Sequence, residues 1–153
     1  MTCRDWFEYI RSQVLALAAM ESRVEELKAK AGPRGQRFDK VGHGGAAHDA
    51  SAPILSVAEA EAELDRMKVD TNAEVERALL VLYGDDGRGG LARAKGSAYA
   101  DCICGYYLMG MRWREVAAEL ASDSVDGRQW CKRSAYRGFE FIDRVGMRAL
   151  ADS

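Results

Sequence analysis

The sequence lacks any long hydrophobic run. Its longest uninterrupted apolar stretches, Val14 to Met20 and Ala78 to Tyr83, hold seven and six residues, whereas a membrane-spanning helix needs about 18 or more. The first residues include the charged Arg4, Asp5 and Glu8 and do not contain the apolar core of a signal peptide. We therefore expect no membrane span and no secretion signal, and we expect the chain to work in the cytoplasm.

Residues able to hold a metal are few, and their spacing does not suit one. The chain has four cysteines and two histidines, which are Cys3, Cys102, Cys104, Cys131, His43 and His48. No Cys-x-x-Cys pair occurs, and two cysteines two positions apart on a helix point to nearly opposite sides of it. A zinc site completed by the histidines is the alternative, but the pattern favours free thiols in a reducing compartment. We expect no metal and no cofactor.

The sequence also lacks a recognisable catalytic group. It contains no pair of catalytic carboxylates and no nucleophile–histidine–acid arrangement that a simple spacing rule identifies. The glycine-rich stretch Gly84 to Gly90 does not end in the Lys-Ser/Thr of a phosphate-binding loop, and it follows a predicted helix rather than a strand. We expect that the protein is not an enzyme.

The charge of the chain is distributed unevenly. Its 153 residues are 48% apolar and 30% charged, with a net charge of −2, which is ordinary for a globular protein. Residues 1–87 hold 11 Lys/Arg and 16 Asp/Glu, whereas residues 88–153 hold 11 Lys/Arg and 8 Asp/Glu. The second part is therefore positive by three charges, as attraction to phosphate requires.

Two amphipathic segments predict a pair of long helices within residues 1–87. The first helix runs from Asp5 to about Lys30, and the second runs from Ser56, the start of a capping-box motif, to Gly84. Apolar residues recur every three or four positions in both, as in a coiled coil. They are Trp6, Ile10, Leu17, Met20, Val24, Leu27 and Ala31 in the first helix, and Val57, Ala60, Leu64, Met67, Val75, Ala78 and Leu82 in the second.

Residues 32–55 separate these helices and contain both prolines and five glycines. That composition predicts a flexible linker, which is long enough for either helix order. We favour an antiparallel helical hairpin within one chain, because successive helices usually pack as neighbours. A homodimer formed through the same helices is the alternative.

Residues 88–153 predict a compact unit of three helices, which makes the fold class all-α. A helix from Leu91 to Met109 precedes a short helix from Trp113 to Leu120 and, after a polar turn, a long helix capped by Ser124 or Asp126. A short helix, a turn and a longer helix in this order are the sequence form of a helix-turn-helix. We expect its core to contain Trp113, Val116, Ala117, Leu120 and Trp130.

The long helix is rich in cations. From Gly127 to Arg148 there are six Lys/Arg and two acidic residues, and both acids come late. Arginine forks suit phosphates and guanine edges, and a recognition helix presents such residues to the major groove. The predicted DNA-binding residues are Arg128, Gln129, Lys132, Arg133 and Arg137.

One stretch resembles a known family. Tyr107-x-x-Gly110-x-x-Trp113-x-Glu115-Val116-Ala117, followed by Arg137-Gly138-Phe139-x-x-Ile142-Asp143, is similar to small phage proteins related to the fourth region of bacterial sigma factors. That family includes late-transcription activators. The resemblance covers about a quarter of the chain and implies a helix-turn-helix that binds promoter DNA, with RNA polymerase as a partner. Gly127 stands where such motifs usually carry an aliphatic residue, so we predict a turn about three residues longer than usual.

The sequence therefore favours a sequence-specific regulator of transcription that binds double-stranded DNA. A phage DNA-packaging protein similar to a small terminase subunit is one alternative, because such proteins also join a helix-turn-helix to oligomerising helices. A coiled-coil assembly protein that does not bind nucleic acid is another.

Overall fold

The computed structural model shows an all-α protein, as predicted. It describes residues 1–41 and 44–153, and it describes side chains for residues 1–30 and 57–153. No strand occurs among these residues, and no helix among them has the length and apolarity to cross a membrane. The helices are α1 (Cys3–Val41), α2 (Gly44–Tyr83), α3 (Gly90–Ala94), α4 (Ser97–Ile103), a π-helical segment (Cys104–Leu108), α5 (Trp113–Leu120), α6 (Val125–Val145) and α7 (Met147–Ala151).

The chain divides into two compact units. The first contains Met1–Val14 and Thr71–Ser153, and the second contains Leu15–Asp70. The sequence predicted a boundary near residue 87 instead. The difference arises because Phe7 and Ile10 of α1 and Leu82 of α2 are buried in the same apolar core as the C-terminal helices.

The predicted linker at 32–55 falls in a range whose side chains lie outside the described residues. α1 extends to Val41 and α2 begins at Gly44, so both helices include part of the range that the sequence predicts as a linker. α2 begins at Gly44, 12 residues before Ser56, so the predicted helix start at the Ser56 capping box is wrong. The side chains of His43 and His48 lie outside the described residues.

The second unit contains a small apolar cluster between α1 and α2. Val24, Ala60 and Leu64 are buried there, and Leu17, Met20 and Leu27 are partly buried against them. All six belong to the apolar positions that the periodicity predicts. The exposed pair of Lys28 Nζ and Glu61 Oε1, 3.2 Å apart, contributes little, since exposed ion pairs are typically worth less than about 1 kcal/mol.

In the first unit, α1 and α6 meet through an aromatic contact. The Phe7 side chain is fully buried, and its ring centroid lies 5.3 Å from that of Phe139 and 6.2 Å from that of Tyr107. The Cys3 backbone N–H donates a hydrogen bond of 2.9 Å to Asp143 Oδ1. A carboxylate at this position satisfies an otherwise unpaired amide at the start of α1 and is favoured by the helix dipole.

The helix predicted from Leu91 to Met109 is divided into three parts. Gly96 has φ +147°, which L side chains rarely adopt, and it separates α3 from α4. After α4, the Met109 backbone N–H donates to the Cys104 carbonyl oxygen at 3.0 Å. This bond spans five residues, which is the pairing of a π-helix.

The connection between α5 and α6 has ordinary length. α5 ends at Leu120 and α6 begins at Val125, so four residues, 121–124, separate them. The prediction of a turn about three residues longer is therefore wrong. A Cβ atom at Gly127 would lie 2.0 Å from the Ser122 carbonyl oxygen, so the close turn leaves no space for the aliphatic side chain usual at this position.

We predict that Gly127→Ala lowers the free energy of unfolding by about 1–3 kcal/mol, the usual cost of overpacking. The clash involves backbone, so relief requires movement of the whole turn. Urea denaturation followed by circular dichroism measures the effect. Gln129→Ala, at an exposed position of the same helix, is the matched control and should change stability by less than about 0.5 kcal/mol. Equal stability of the two variants would contradict the prediction.

Candidate nucleic-acid interface

The start of α5 is held by a stack of three side chains. The Trp113 and Tyr106 rings are nearly parallel, at 6°, with centroids 4.0 Å apart. The Arg11 guanidinium carbon lies 3.6 Å from the Tyr106 ring centroid, and its Nη1 donates to the carbonyl oxygens of Tyr106 and Met111, the latter at 2.9 Å. Residues of α1, the π-helical segment and α5 are thereby joined in the first unit.

The buried face of α5 is narrower than the sequence predicted. Val116 and Ala117 are buried, as expected, and Trp113 is half-buried. A Cβ atom at Gly105 would lie 3.2 Å from Val116 Cγ2, so α5 packs closely against the π-helical segment. Leu120, however, is 38% exposed. It lies in the last turn of α5, beyond the contact, and its assignment to the core is corrected.

The start of α6 is fixed by its N-cap. Ser124 has extended backbone geometry, and its Oγ accepts a hydrogen bond of 3.0 Å from the Gly127 backbone N–H. The Ser122 and Ser124 hydroxyl oxygens lie 2.8 Å apart. Of the two N-caps that the sequence left open, Ser124 is therefore the one used, and a serine N-cap stabilises a helix by about 0.5–2 kcal/mol relative to alanine.

The buried side of α6 differs from the predicted one. The sequence placed Trp130 in the core, but it is 39% exposed. Cys131 and Phe139 occupy the core instead. Cys131 lies one residue after Trp130, so the buried side of α6 is rotated about the helix axis relative to the predicted side. Buried members of α6 are Gly127, Cys131, Ser134, Ala135, Gly138, Phe139 and Ile142.

The predicted DNA-binding residues lie off this buried side. Gln129, Arg133 and Arg137 are exposed, and Arg128 and Lys132 are half-buried. Positions 129, 133 and 137 follow one another at intervals of four, so they share one side of the helix. Trp130 and Val125 add exposed apolar surface beside these polar groups.

The positive charge of α6 is not cancelled by neighbouring acids. Within the described side chains, none of Arg128, Lys132, Arg133 and Arg137 forms an ion pair. By contrast, Arg114 of α5 lies 3.5 Å from Asp123 in the turn. The four cations of α6 are therefore available to an anion from outside the chain.

Acidic side chains cluster at the other end of α6. An open groove of about 460 Å³ between α1 and α6 is lined by Asp5, Glu8, Glu140 and Asp143, together with Arg4. The pKa of Asp5 is lowered by hydrogen bonds from the Thr2 backbone and hydroxyl, which keeps this carboxyl charged. The positive surface of α6 therefore belongs to its first half and to the sides that face away from α1.

A second group of ionisable side chains surrounds a cavity of about 180 Å³ beside α5. Tyr83 donates a hydrogen bond of 2.6 Å to Asp101, and burial raises the pKa of Tyr83. In the described part of the chain, no three His, Cys, Asp or Glu side chains are arranged to hold a metal ion. Tyr83 and Asp101 therefore form a half-buried hydrogen-bonded pair that joins α2 to α4.

The three-residue stack at the start of α5 was not identified from the sequence. Arg11 is separated from Tyr106 and Met111 by 95 and 100 positions. No local pattern marks a contact over such a distance, and Arg11 reads as one exposed charge of an amphipathic helix. Only the spacing of Tyr106, Tyr107 and Trp113 signals an aromatic cluster near α5.

Comparison with known proteins adds no relative. No family model, no curated protein and no solved structure matches this chain.

We predict that the folded protein reacts slowly with a thiol reagent at about pH 8. Cys3, Cys102 and Cys131 are buried, and Cys104 is half-buried. Burial raises the pKa of Cys3 and Cys102 to about 12, so roughly one molecule in ten thousand carries the reactive thiolate at either site. Ellman's reagent should titrate four thiols in denaturant.

The folded protein should instead show less than one fast-reacting thiol. Cys104→Ser is the control, because any residual fast reaction should disappear with this half-buried thiol. Rapid reaction of two or more thiols in the folded state would contradict the described burial.

Proposed function

We propose that this protein is a sequence-specific DNA-binding regulator of transcription and that α5, the turn and α6 form its helix-turn-helix. The observation that carries this proposal is the outward side of α6. Four cations that form no ion pair with any acidic side chain the structure describes lie there, on a helix whose opposite side is buried and whose start is capped. A positive helix held by a core and preceded by a short helix has the form needed to enter the major groove.

Binding would combine anchoring and reading. Arg128 and Lys132 are half-buried near the edge of the core, which suits contacts to the phosphate backbone. Gln129, Arg133 and Arg137 are exposed along one side. Glutamine can form two hydrogen bonds with adenine, at N6 and N7, and arginine two with guanine, at O6 and N7, so these three side chains are the proposed base readers.

The proposed partners follow from the sequence resemblance. Small phage activators related to the fourth sigma region bind promoter DNA, and some act alongside RNA polymerase. We extend both partners to this chain as part of the proposal. The pairing of α1 and α2 in the second unit, which buries Val24, Ala60 and Leu64, supports a helical hairpin as a separate surface for polymerase or for a second copy.

We predict that Arg133→Ala/Arg137→Ala weakens duplex binding at least severalfold. Each phosphate contact releases counterions, so its loss should reduce the slope of log affinity against log salt by about 0.9. A contact to guanine should instead relax sequence preference. Fluorescence anisotropy with duplexes selected from a random pool measures affinity, salt dependence and preference together.

Arg23→Ala/Arg66→Ala is the matched control for this pair. Both residues are exposed and belong to the second unit, and their loss changes net charge by the same amount. This control should bind DNA as the parent does. If both double variants lose affinity equally, the effect is one of total charge, and α6 is not the interface.

A DNA-packaging or assembly protein is the second candidate, and the second unit provides its support. Few described residues are buried there, and Leu17, Met20 and Leu27 retain exposed surface. Helices with an incompletely covered apolar side can associate with further copies. A ring of copies would present many α6 helices to one duplex.

We predict a monomer or a dimer, as expected for a regulator. Light scattering coupled to size exclusion, run with and without duplex, measures the mass. A stable ring of eight or more copies would favour packaging instead, and a large assembly with no salt-sensitive duplex binding would favour a coiled-coil assembly protein.

A further inference from the structure

Two cations, Lys95 and Arg144, lie near the aromatic ring of Phe141 in the first unit. Lys95 Nζ and Arg144 Cζ each lie 5.4 Å from the ring centroid of Phe141. Lys95 Nζ also lies 4.7 Å from the ring centroid of Tyr99. Lys95 belongs to the turn between α3 and α4, and Arg144 to the last turn of α6, so the fold brings them together from distant parts of the sequence.

These two cations also have no acidic partner in the described part of the chain. Two positive groups held beside one ring repel each other unless an anion joins them. Phe141 is half-buried and Arg144 exposed, so the space around the ring is open to solvent. The pair is therefore suited to a phosphate group from a partner.

The pair continues the cationic side of α6. Arg133, Arg137 and Arg144 are separated by four and seven residues, which places them in a row along one side of the helix. Glu140 lies at the border of this row, three residues after Arg137 and four before Arg144, and it also lines the acidic groove with Asp5 and Glu8 of α1. The row of cations therefore has acidic side chains along its α1 border and Lys95 near its C-terminal end.

The row extends beyond the part of a recognition helix that reads bases. Eleven residues separate Arg133 from Arg144, which is about 16 Å along a helix, and a recognition helix contacts base edges with its N-terminal residues. If the first half of α6 lies in the groove, Arg144 is beyond the base edges, and the bordering phosphates are the nearest anions.

We propose that Lys95 and Arg144, positioned around Phe141, form a backbone-phosphate site for the same duplex that α6 reads. This inference rests on the proposed DNA-binding function and adds the direction in which the duplex crosses the protein. The duplex crosses the first unit from the start of α6 toward the turn between α3 and α4, and it avoids the acidic groove at α1. The site contributes affinity and orientation, and it does not read sequence.

The test compares three double variants with the parent protein. Lys95→Ala/Arg144→Ala should weaken binding to every mixed-sequence duplex by a similar factor, severalfold or more at low salt. It should also reduce the salt slope by up to about 1.8, or about 0.9 for each lost contact. Lys95→Arg/Arg144→Lys keeps both charges and should retain most of the affinity. Arg4→Ala/Arg148→Ala removes two cations of the same unit outside the proposed path and should bind as the parent does.

The outcomes separate this site from the function on which it rests. Parent-like binding by Lys95→Ala/Arg144→Ala, with weakened binding by Arg133→Ala/Arg137→Ala, overturns the phosphate site and leaves the helix-turn-helix proposal intact. A loss of preference for particular sequences overturns it too, because a phosphate contact is uniform across sequences. Absence of salt-sensitive duplex binding by the parent overturns both proposals.

A structural effect of the substitutions is measured separately. Arg144 also lies at the C-terminus of α6, where a cation favours the helix dipole, so thermal unfolding of each variant is recorded. Weak binding by the alanine pair supports the site only if its circular dichroism spectrum matches the parent and the charge-preserving pair rescues binding. Failure of that rescue, with folding unchanged, overturns the site.

Discussion

The burial of Phe7 against Phe139 is the contact on which the first unit depends. Phe7 lies on α1 and Phe139 on α6, and both also approach Tyr107 of the π-helical segment. Three aromatic rings in edge and tilted contact bury a large apolar area and hold their elements at defined angles. Because Phe139 faces inward, the residues on the opposite side of α6 must face solvent. The open cationic surface is therefore a consequence of this packing.

Small residues allow the rest of α6 to approach its neighbours closely. A Cβ atom at Gly138 would lie 2.8 Å from Ile103 Cδ1 and 3.2 Å from Leu91 Cδ2. Glycine within a helix costs about 1 kcal/mol relative to alanine, so α6 loses intrinsic stability at Gly127 and Gly138. Burial of the surrounding apolar side chains offsets that loss, which is the general way in which tertiary packing outweighs helix propensity.

Local patterns in the sequence predicted much of the helical framework. The end of α2 at Gly84, the α5 range and the Ser124 cap each depend on residues within a few positions of one another, and the structure contains all three. The buried side of α6 was harder to predict, because residue size suggested Trp130 whereas the available space accepts Cys131. Which side chain is buried in a close contact depends on the volume that the partner helix leaves free. The amino-acid sequence alone does not give that volume.

Contacts between distant residues were beyond sequence reasoning. The Arg11–Tyr106–Trp113 stack and the Lys95–Phe141–Arg144 group join elements that the periodicity treats separately. For the candidate site, sequence patterns identified the cation-rich segment and its exposed residues. They did not identify the acidic groove at α1, because Glu140 and Asp143 become part of it only when the N-terminal turns pack against α6.

The π-helical segment Cys104–Leu108 has a consequence for how this chain tolerates insertions and deletions. A π-helical turn corresponds to one extra residue in an α-helix. Removing any one of these five residues would return the segment to α-helical pairing and change the directions of the side chains within it. Tyr106 and Tyr107 would then no longer both meet their partners on α1, α5 and α6. We therefore expect a deletion in this segment to disturb the contacts of both tyrosines at once, whereas a single substitution disturbs only those of the residue replaced.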